Sequence, residues 1–353
     1  MQKIAILYQA KLPPAKDGIQ KPLKPGGYSD SGADIACALY ENGLPVVSSV
    51  SNPATETDLD WVFPDSKEGI QSAFEKGARI FWLNTVLFDG HPIEILFAEA
   101  IEIVGQLPKT VDTYDDKWVT NKLLRENGLS IPDSLLISKD DRTDYQSDFF
   151  YPGVVKPVRG RGSQGVYLVK TRQELEIKLS HLFDGNEYGT MVYFEQFLPG
   201  QEITVTVMPP GVYRFKDRIK RLDSYWSLPA LKRFNHINDV APYNGTEAVI
   251  NNSIVLDDYE LNSHKIKEVY VQCEKAASLI QAMAPIRIDC RADDKGKYFL
   301  FDLNMKPNMT GASRPHRQDQ DSLCSLASRK IGWTYSDLLM NMLEQKWKPS
   351  QSN

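Results

Sequence analysis

Two short runs near the C-terminus, Ile286-Arg287-Ile288-Asp289-Cys290-Arg291 and Tyr298-Phe299-Leu300-Phe301-Asp302-Leu303-Asn304, alternate with a period of two. That period sends Arg287, Asp289 and Arg291 to one side of a first strand, and Asp302 and Asn304 together to one side of a second. The intervening Asp293-Asp294-Lys295-Gly296 is a turn signal, so the pair reads as a hairpin, with Ile286, Ile288, Phe299, Phe301 and Leu303 on its opposite face. Two carboxylates held close on a sheet repel each other unless a cation lies between them. Asp289, Asp302 and the Asn304 amide make an all-oxygen donor set suited to Mg²⁺, with Mn²⁺ as the alternative, which keeps waters and takes further ligands from phosphates. A solvated hairpin face with Arg-Asp ladder pairs explains these residues about as well.

A second group is Gly160-Arg161-Gly162-Ser163-Gln164-Gly165, which has G-x-G-x-x-G spacing. A dinucleotide fingerprint runs from strand into helix, whereas here Val154-Val155-Lys156-Pro157-Val158 and Val166-Tyr167-Leu168-Val169 make both flanks strands. Valine follows Gly165 where a Walker loop needs lysine. A glycine loop between strands can fold over nucleotide phosphates and donate backbone N–H groups, as in protein kinases, although no H-R-D or D-F-G sequence is present. A plain hairpin tip is the competing reading, and the adjacent Lys156 weighs against it.

The first third of the chain alternates strand and helix, as a parallel α/β layer does: strand 3–9, helix 31–42 ended by Gly43, strand 45–50, helix 66–76 ended by Gly77, strand 79–84. Pro92 opens a helix whose apolar positions Ile93, Leu96, Phe97, Ala100, Ile101 and Val104 fall at helical spacing before Gly105. Thr113-Tyr114-Asp115-Asp116 has capping-box form and starts a helix that Gly128 ends, with Lys117 on its first turn, where the dipole favours anions. Strands follow at 153–158, 165–170, 190–196 and 202–208, with a helix at 172–182. Little regular structure is expected over 209–256, so that stretch reads as a functional loop or lid. Its Arg214, Lys216, Arg218 and Lys220 fit a solvated strand face better than an anion site. Ser263 and Thr334 cap the last two long helices.

With 353 residues, 42% of them hydrophobic and 25% charged, the chain can build two or three domains of an ordinary soluble protein. A net charge of −5 argues against nucleic acid as a partner, and no apolar run is long enough to span a bilayer or serve as a signal peptide. The expectation is a cytoplasmic protein. Cys37, Cys273, Cys290 and Cys324 are isolated in sequence and read as buried thiols.

The ordered succession Asp116-Lys117, Val155-Lys156-Pro157 with Gly162-Ser163-Gln164-Gly165-Val166, Glu195-Gln196-Phe197-Leu198-Pro199-Gly200-Gln201-Glu202, Arg287-Ile288-Asp289 and Asp302-Leu303-Asn304 resembles the ATP-grasp superfamily. It is most similar to the D-alanine:D-alanine ligase branch, from about Lys3 to the last helix. The resemblance implies an α/β ATP-grasp fold with an N-terminal Rossmann-like parallel domain over 1–109. A central domain with the glycine loop would follow over 110–197, and a C-terminal domain with the metal site over 198–353. It implies that Lys117 and Lys156 contact ATP phosphates under a lid of Gly162, Ser163, Gln164 and Gly165. Glu195, Gln196, Phe197 and Leu198 would bind adenine, Glu202 the ribose, and Asp289, Asp302 and Asn304 the Mg²⁺. Downstream, Asn304-Met305-Lys306-Pro307-Asn308-Met309-Thr310-Gly311-Ala312-Ser313 resembles the ligases' Asn-Thr-x-Pro-Gly-x-Thr-x-x-Ser. Ser313 would then bind the carboxylate of the amine substrate, Arg287 the oxyanion of the tetrahedral intermediate, and Asn308 would lie beside the reacting carbon.

Four departures stand out. Asp302 occupies a position that most relatives give to glutamate, and Asn308 a position they give to glycine. Pro25-Gly26-Gly27-Tyr28-Ser29-Asp30-Ser31 resembles the ligases' Gly-Gly-x-Ser-x-Glu, with Ser31 where the glutamate would hold an ammonium and Asp30 facing away in an extended segment. An insertion, 10–24, precedes it. The expected activity is an ATP-dependent carboxylate-amine ligation through an acyl phosphate, joining amino acids, or a small carboxylic acid and an amino acid. Its partners would be small-molecule carboxylate and amine substrates, with no nucleic acid or membrane and with a homodimer as one assembly. Within 209–256, Arg233, Asn235, His236, Tyr243 and Asn244 are candidate substrate contacts, and Arg314, His316 and Arg317 fit an acidic substrate and a solvated loop about equally well. The rivals are a divergent D-alanine:D-alanine ligase, and an inactive ATP-binding sensor or scaffold.

Overall fold

The apolar run Ile4-Ala5-Ile6-Leu7 is buried on both faces, as a central parallel strand requires. The computed structural model describes residues 2–140, 150–160, 164–185, 188–236 and 248–349. This run forms β1 (Lys3–Tyr8), followed by α1 (Ser29–Glu41), α2 (Asp58–Trp61), β2 (Phe63–Pro64), α3 (Lys67–Glu75), β3 (Ala78–Asn84) and β4 (Glu102–Val104). The strands make a parallel sheet of order β2-β1-β3-β4. Two expectations fail here. The stretch 45–50 contributes one backbone bridge, Ile4 with Val46, and no strand. The helix expected from Pro92 is a 3₁₀ turn over Pro92–Leu96, after which β4 pairs with β3 and Ile103 bridges Trp347. The burial of Ile101, Ile103 and Val104 satisfies either period, and the open sheet edge decides for strand.

Two helices, α4 (Pro108–Tyr114) and α5 (Lys117–Glu126), stand where the capping-box pattern suggested one. Asp116 caps α5 by accepting from Val119 N, while the Thr113 hydroxyl bonds back to Lys109 O. The strands β5 (Ser134–Ser138), β6 (Gly153–Pro157), β7 (Tyr167–Val169) and β8 (Met191–Gln196) form an antiparallel sheet of order β5-β8-β6-β7. Helix α6 (Arg172–Asp184) covers one face, packing Leu175, Leu179 and Phe183 against Val155, Val192 and Phe194.

The third sheet is built on β9 (Glu202–Met208), all of whose residues are buried. The supposed structureless stretch in fact holds β10 (Gly211–Phe215) and β11 (Arg218–Leu222), which form their own hairpin, and β12 (Trp226–Ser227), β13 (Leu231–Arg233) and β14 (Ser253–Val255). These strands are two to five residues long and β11 is exposed along most of its length, so their apolar period was too short to read. Arg214, on β10, pairs with Glu344 at 3.5 Å on the surface, as a solvated strand face would. After α7 (Asp258–Asn262) and α8 (His264–Leu279) come β15 (Ile286–Ala292) and β16 (Tyr298–Asn304), then α9 (Leu323–Lys330) and α10 (Tyr335–Glu344). Sheet order is β14-β13-β9-β15-β16, with β12 also on β9. Ser263 caps α8, and a Thr334–Asp337 capping box starts α10. All four cysteines are buried thiols.

Candidate active site

Strands β15 and β16 form the expected hairpin, with Asp289 directly opposite Asp302 and Arg287 opposite Asn304. The expected opposite face needs correction. A bulge leaves Phe301 as an extra residue between Asp302, which faces Asp289, and Leu300, which faces Cys290. Beyond it the alternation inverts: Leu300 and Tyr298 enter the core, Phe299 sits across from Arg291, and Phe301 lines the cleft above the hairpin. Both carboxylates are already matched to cations. Arg287 donates to the two Asp289 oxygens at 3.2 and 3.1 Å, Thr204 Oγ1 donates to Asp289 at 2.6 Å, and Lys117 Nζ lies 3.2 Å from Asp302.

The hairpin floors a cleft of about 330 Å³, the size of a small-ligand site. Lys156 enters from β6 and donates to Glu195 Oε1 on β8 at 2.6 Å and to Phe301 O at 3.2 Å. Burial pushes the Glu195 carboxyl up, against the pull of Lys156. For Asp302 burial acts in the same sense, but Lys117 and Lys156 outweigh it and hold the carboxyl below its ordinary value. Burial opposes the Lys117 charge in turn, and Asp302 and Asp115 overcome it, so this ammonium lies above its ordinary value. The cation on the first turn of α5 thus has its anion.

The other Glu195 oxygen, Oε2, is buried and accepts no hydrogen bond among the described residues. An orphan acceptor beside Gln196, Phe197 and Leu198, all lining the cleft, is what an exocyclic amino group of a purine would satisfy. Glu202 also lines the cleft but is held by His236 at 2.9 Å and Arg291 at 3.6 Å, and Arg291 stacks on the Phe197 ring at 4.9 Å. Arg233 lines the wall as well, where burial lowers its pKa. Gln164 lines the mouth and Gly165 adopts φ +70° just before β7; Gly162, Ser163, Tyr243 and Asn244 lie outside the described residues.

Among the described residues no group of three His, Cys, Asp or Glu side chains could hold a metal. Asp289 and Asp302 on adjacent strands, with Asn304 next on the same face, nevertheless fit Mg²⁺, because that ion takes a few carboxylate or amide oxygens and completes its shell with water and phosphate.

Residues 10–24, expected as an insertion, form a strap packed on the second sheet and the end of α4. Ile19 bridges Tyr188 beside β8, is itself buried, and belongs to a small core with Val158 and Tyr193. Asp17 lies 3.5 Å from Arg159, while Lys16 pairs with Asp112 and Lys21 with Asp115. Gly189 adopts φ +71°, and a Cβ there would come 2.5 Å from Asp17 O, so the two segments meet at backbone contact. The strap brings Lys21, Lys24 and Tyr28 into the cleft wall, where Lys306 and Asn308 join them.

Ser313, an expected site residue, and Ser31, which stands where the glutamate was sought, do not line this cleft. Ser313 lines a separate depression with Ala38 and Glu41, and its hydroxyl donates to Asp34 O at 2.8 Å. Ser31 is buried, accepts from Asn84 and donates to Tyr28 O; it sits in helix α1, not in an extended segment, and Asp30 on the same helix pairs with Lys24 and Arg317. Arg314 is not available to an acidic substrate: fully buried, it pairs with Asp34 at 2.9 Å and Asp58 at 2.7 Å. Arg317 also grips Asp34, at 2.9 and 3.1 Å. Sequence reading missed Lys21, Lys24, Arg291, Thr204 and Lys306 as cleft or support residues; the lysine-rich insertion, with Lys11, Lys16, Lys21 and Lys24, was the available signal for two of them.

A family model described as "D-ala D-ala ligase C-terminus" matches residues 123–344. A D-alanine–D-alanine ligase of Francisella tularensis subsp. holarctica (strain LVS) is 26% identical over 199 residues, 56% of this chain and 59% of the relative. One from Francisella philomiragia subsp. philomiragia is 24% identical over 257 residues, 73% of this chain and 75% of the relative. The match thus spans under two thirds of the length of the first relative. Among solved structures, the D-alanine–D-alanine ligase from Bacillus anthracis complexed with ATP superposes with TM-score 0.63 at 18% identity, covering 98% of this chain and 96% of that one. The VanG D-Ala:D-Ser ligase from Enterococcus faecalis gives 0.67 at 15% identity, over 97% and 98%.

Proposed function

Since the chain belongs to the D-ala D-ala ligase C-terminus family and has the ATP-grasp fold, we propose that it is an ATP-dependent carboxylate-amine ligase. One observation carries the reading: the Arg287, Asp289, Asp302 and Asn304 face floors the same cleft that Lys117 and Lys156 enter. In this reading Lys156 and Lys117 hold the phosphates, Glu195 Oε2 accepts from the adenine amino group, and backbone groups from Gln196 to Leu198 read the purine edge. Glu202 exchanges a cation for ribose hydroxyls. Asp289, Asp302 and Asn304 hold Mg²⁺, which neutralises charge on the transferring phosphoryl group when bound.

A substrate carboxylate oxygen bonds to the γ-phosphorus as ADP leaves, and an amine then attacks the acyl carbon and expels phosphate. Arg287 is placed to stabilise the oxyanion of that second step. The glycine loop and the strap shield the acyl phosphate from water. We assign the units 1–109, 110–197 and 198–353, because the parallel sheet falls in the first, the β5-β8-β6-β7 sheet in the second, and the sheet built on β9 with the β10–β11 hairpin in the third.

Membership of the family makes a divergent D-alanine:D-alanine ligase the second reading, but Ser31 offers no carboxylate to an ammonium and is buried off the cleft. The substrate pair is therefore read as different. Incubating the protein with ATP, Mg²⁺ and pairs of amino and carboxylic acids, with phosphate release and product mass measured, tests both: an amide is expected, and ATP binding without any amide product would leave only a sensor.

A further inference from the structure

Val86, Leu87, Val111 and Tyr114 give the cleft an apolar stretch of wall. Val86 and Leu87 follow the C-terminal end of β3, the edge at which an open parallel sheet receives its ligands. Val111 and Tyr114 lie three apart on α4 and so share a helix face. Leu87 and Val111 belong to the hydrophobic core and Tyr114 packs against it, so this wall is a piece of the core that reaches the cleft. The polar side chains beside it face partners within the protein: Thr120 Oγ1 donates to Tyr114 O at 2.7 Å, Asn121 Nδ2 donates to Tyr193 Oη at 2.8 Å, and Asp115 is paired with Lys21 and, at 3.4 Å, with Arg159. The wall is also close to the chemistry, since Lys117, three residues beyond Tyr114, reaches Asp302 at 3.2 Å. Apolar surface that a binding cleft leaves against water gains from an apolar group that covers it.

Resting on the ligase reading, we propose that the acyl-donating substrate is a carboxylic acid with a large apolar side chain, of which the amino acids leucine and phenylalanine are representatives. Its carboxylate is activated at the Asp289–Asp302 face, and its side chain is seated against Val86, Leu87, Val111 and Tyr114. A methyl group covers little of this wall, and a charged side chain loses water against it with no apolar gain. Leucine and phenylalanine are therefore favoured over alanine and aspartate.

Hydroxylamine in place of the unidentified amine isolates the acyl-donating half of the reaction. The carboxylate oxygen takes the γ-phosphoryl group and ADP departs; the hydroxylamine nitrogen then bonds to the acyl carbon, phosphate departs, and the nitrogen loses a proton to solvent, leaving a hydroxamate. Leucine, phenylalanine, alanine and aspartate, each in both configurations, are compared with ATP and Mg²⁺. Leucine or phenylalanine should exceed alanine and aspartate in kcat/KM by about tenfold or more, since even one methylene in an apolar pocket is worth about that much. Val86→Phe fills the space before the wall and Tyr114→Ala removes its largest piece. Each should lower the leucine-to-alanine ratio of kcat/KM by about tenfold, while calorimetry still shows ATP binding and hence a folded cleft. Alanine or aspartate used as efficiently as leucine and phenylalanine, or a ratio unchanged in both variants, overturns the apolar subsite and leaves the ligase standing. No hydroxamate from any acid overturns both.

Discussion

Lys156 and Glu195 form an ion pair at 2.6 Å with both side chains only 5% exposed, so neither charge can be removed without stranding the other. Lys156→Ala should destabilise the fold by about 3–5 kcal/mol, the usual cost of an uncompensated buried charge, and should also weaken ATP binding. The double variant Lys156→Met with Glu195→Gln should regain most of the stability and none of the affinity. Urea denaturation and calorimetry on the same preparations separate the two effects; an unchanged ATP affinity in the single variant would remove Lys156 from the nucleotide site.

Asp302→Asn keeps the side-chain volume and removes one of the two opposed carboxylates of the hairpin. Turnover should fall by roughly 100-fold or more, since a metal ion contributes several kcal/mol of transition-state stabilisation. Circular dichroism should show an unchanged fold. Normal turnover with normal Mg²⁺ dependence would sink the metal assignment.

Asp34 ties helix α1 to the turn that follows β16: it accepts from Thr310 Oγ1 at 2.7 Å and is paired with Arg314 and Arg317. Asp34→Ala leaves the buried Arg314 guanidinium short of a partner, at a cost of about 3–5 kcal/mol. A drop in the urea midpoint corresponding to less than about 1 kcal/mol, the scale of an exposed pair, would contradict this.

Burial pushes the Tyr270 and Tyr298 phenols up to about 12, from an ordinary value of 10.0. The folded state therefore favours the protonated form, and the stability linked to it is fully present below pH 10 and lost as pH rises from 10 to 12. The urea midpoint should decline across that window, and Tyr270→Phe should make the decline shallower. A midpoint that stays flat between pH 10 and 12 would show that ionisation is not coupled to folding at these sites.

The shared placement of Arg287, Asp289, Asp302 and Asn304 on one hairpin was legible because they follow a period of two on both sides of a clear turn. The bulge at Phe301 was not, because an unpaired residue leaves no mark in hydrophobicity, and it exchanged the faces of Phe299 and Leu300. The cap of α5 was misplaced by three residues because Thr113 and Asp116 are equally good capping types, and only packing chose between them. The strap was opaque for a different reason. Ile19 touches Tyr188, Lys16 touches Asp112, and Lys24 and Lys306 meet on Tyr28; pairings so distant in sequence have no local signature.

Those same distant pairings constrain the order in which a chain emerging from the ribosome can settle. The strap must wait for residues 188 and 189, Asp34 for Arg314 and Arg317, and the outer strand at Ile103 for Trp347. The N-terminal third, synthesised first, thus acquires its finished contacts among the last, which predicts slow, late-committing folding and a nascent N-terminal segment that depends on chaperones until the C-terminal helices arrive.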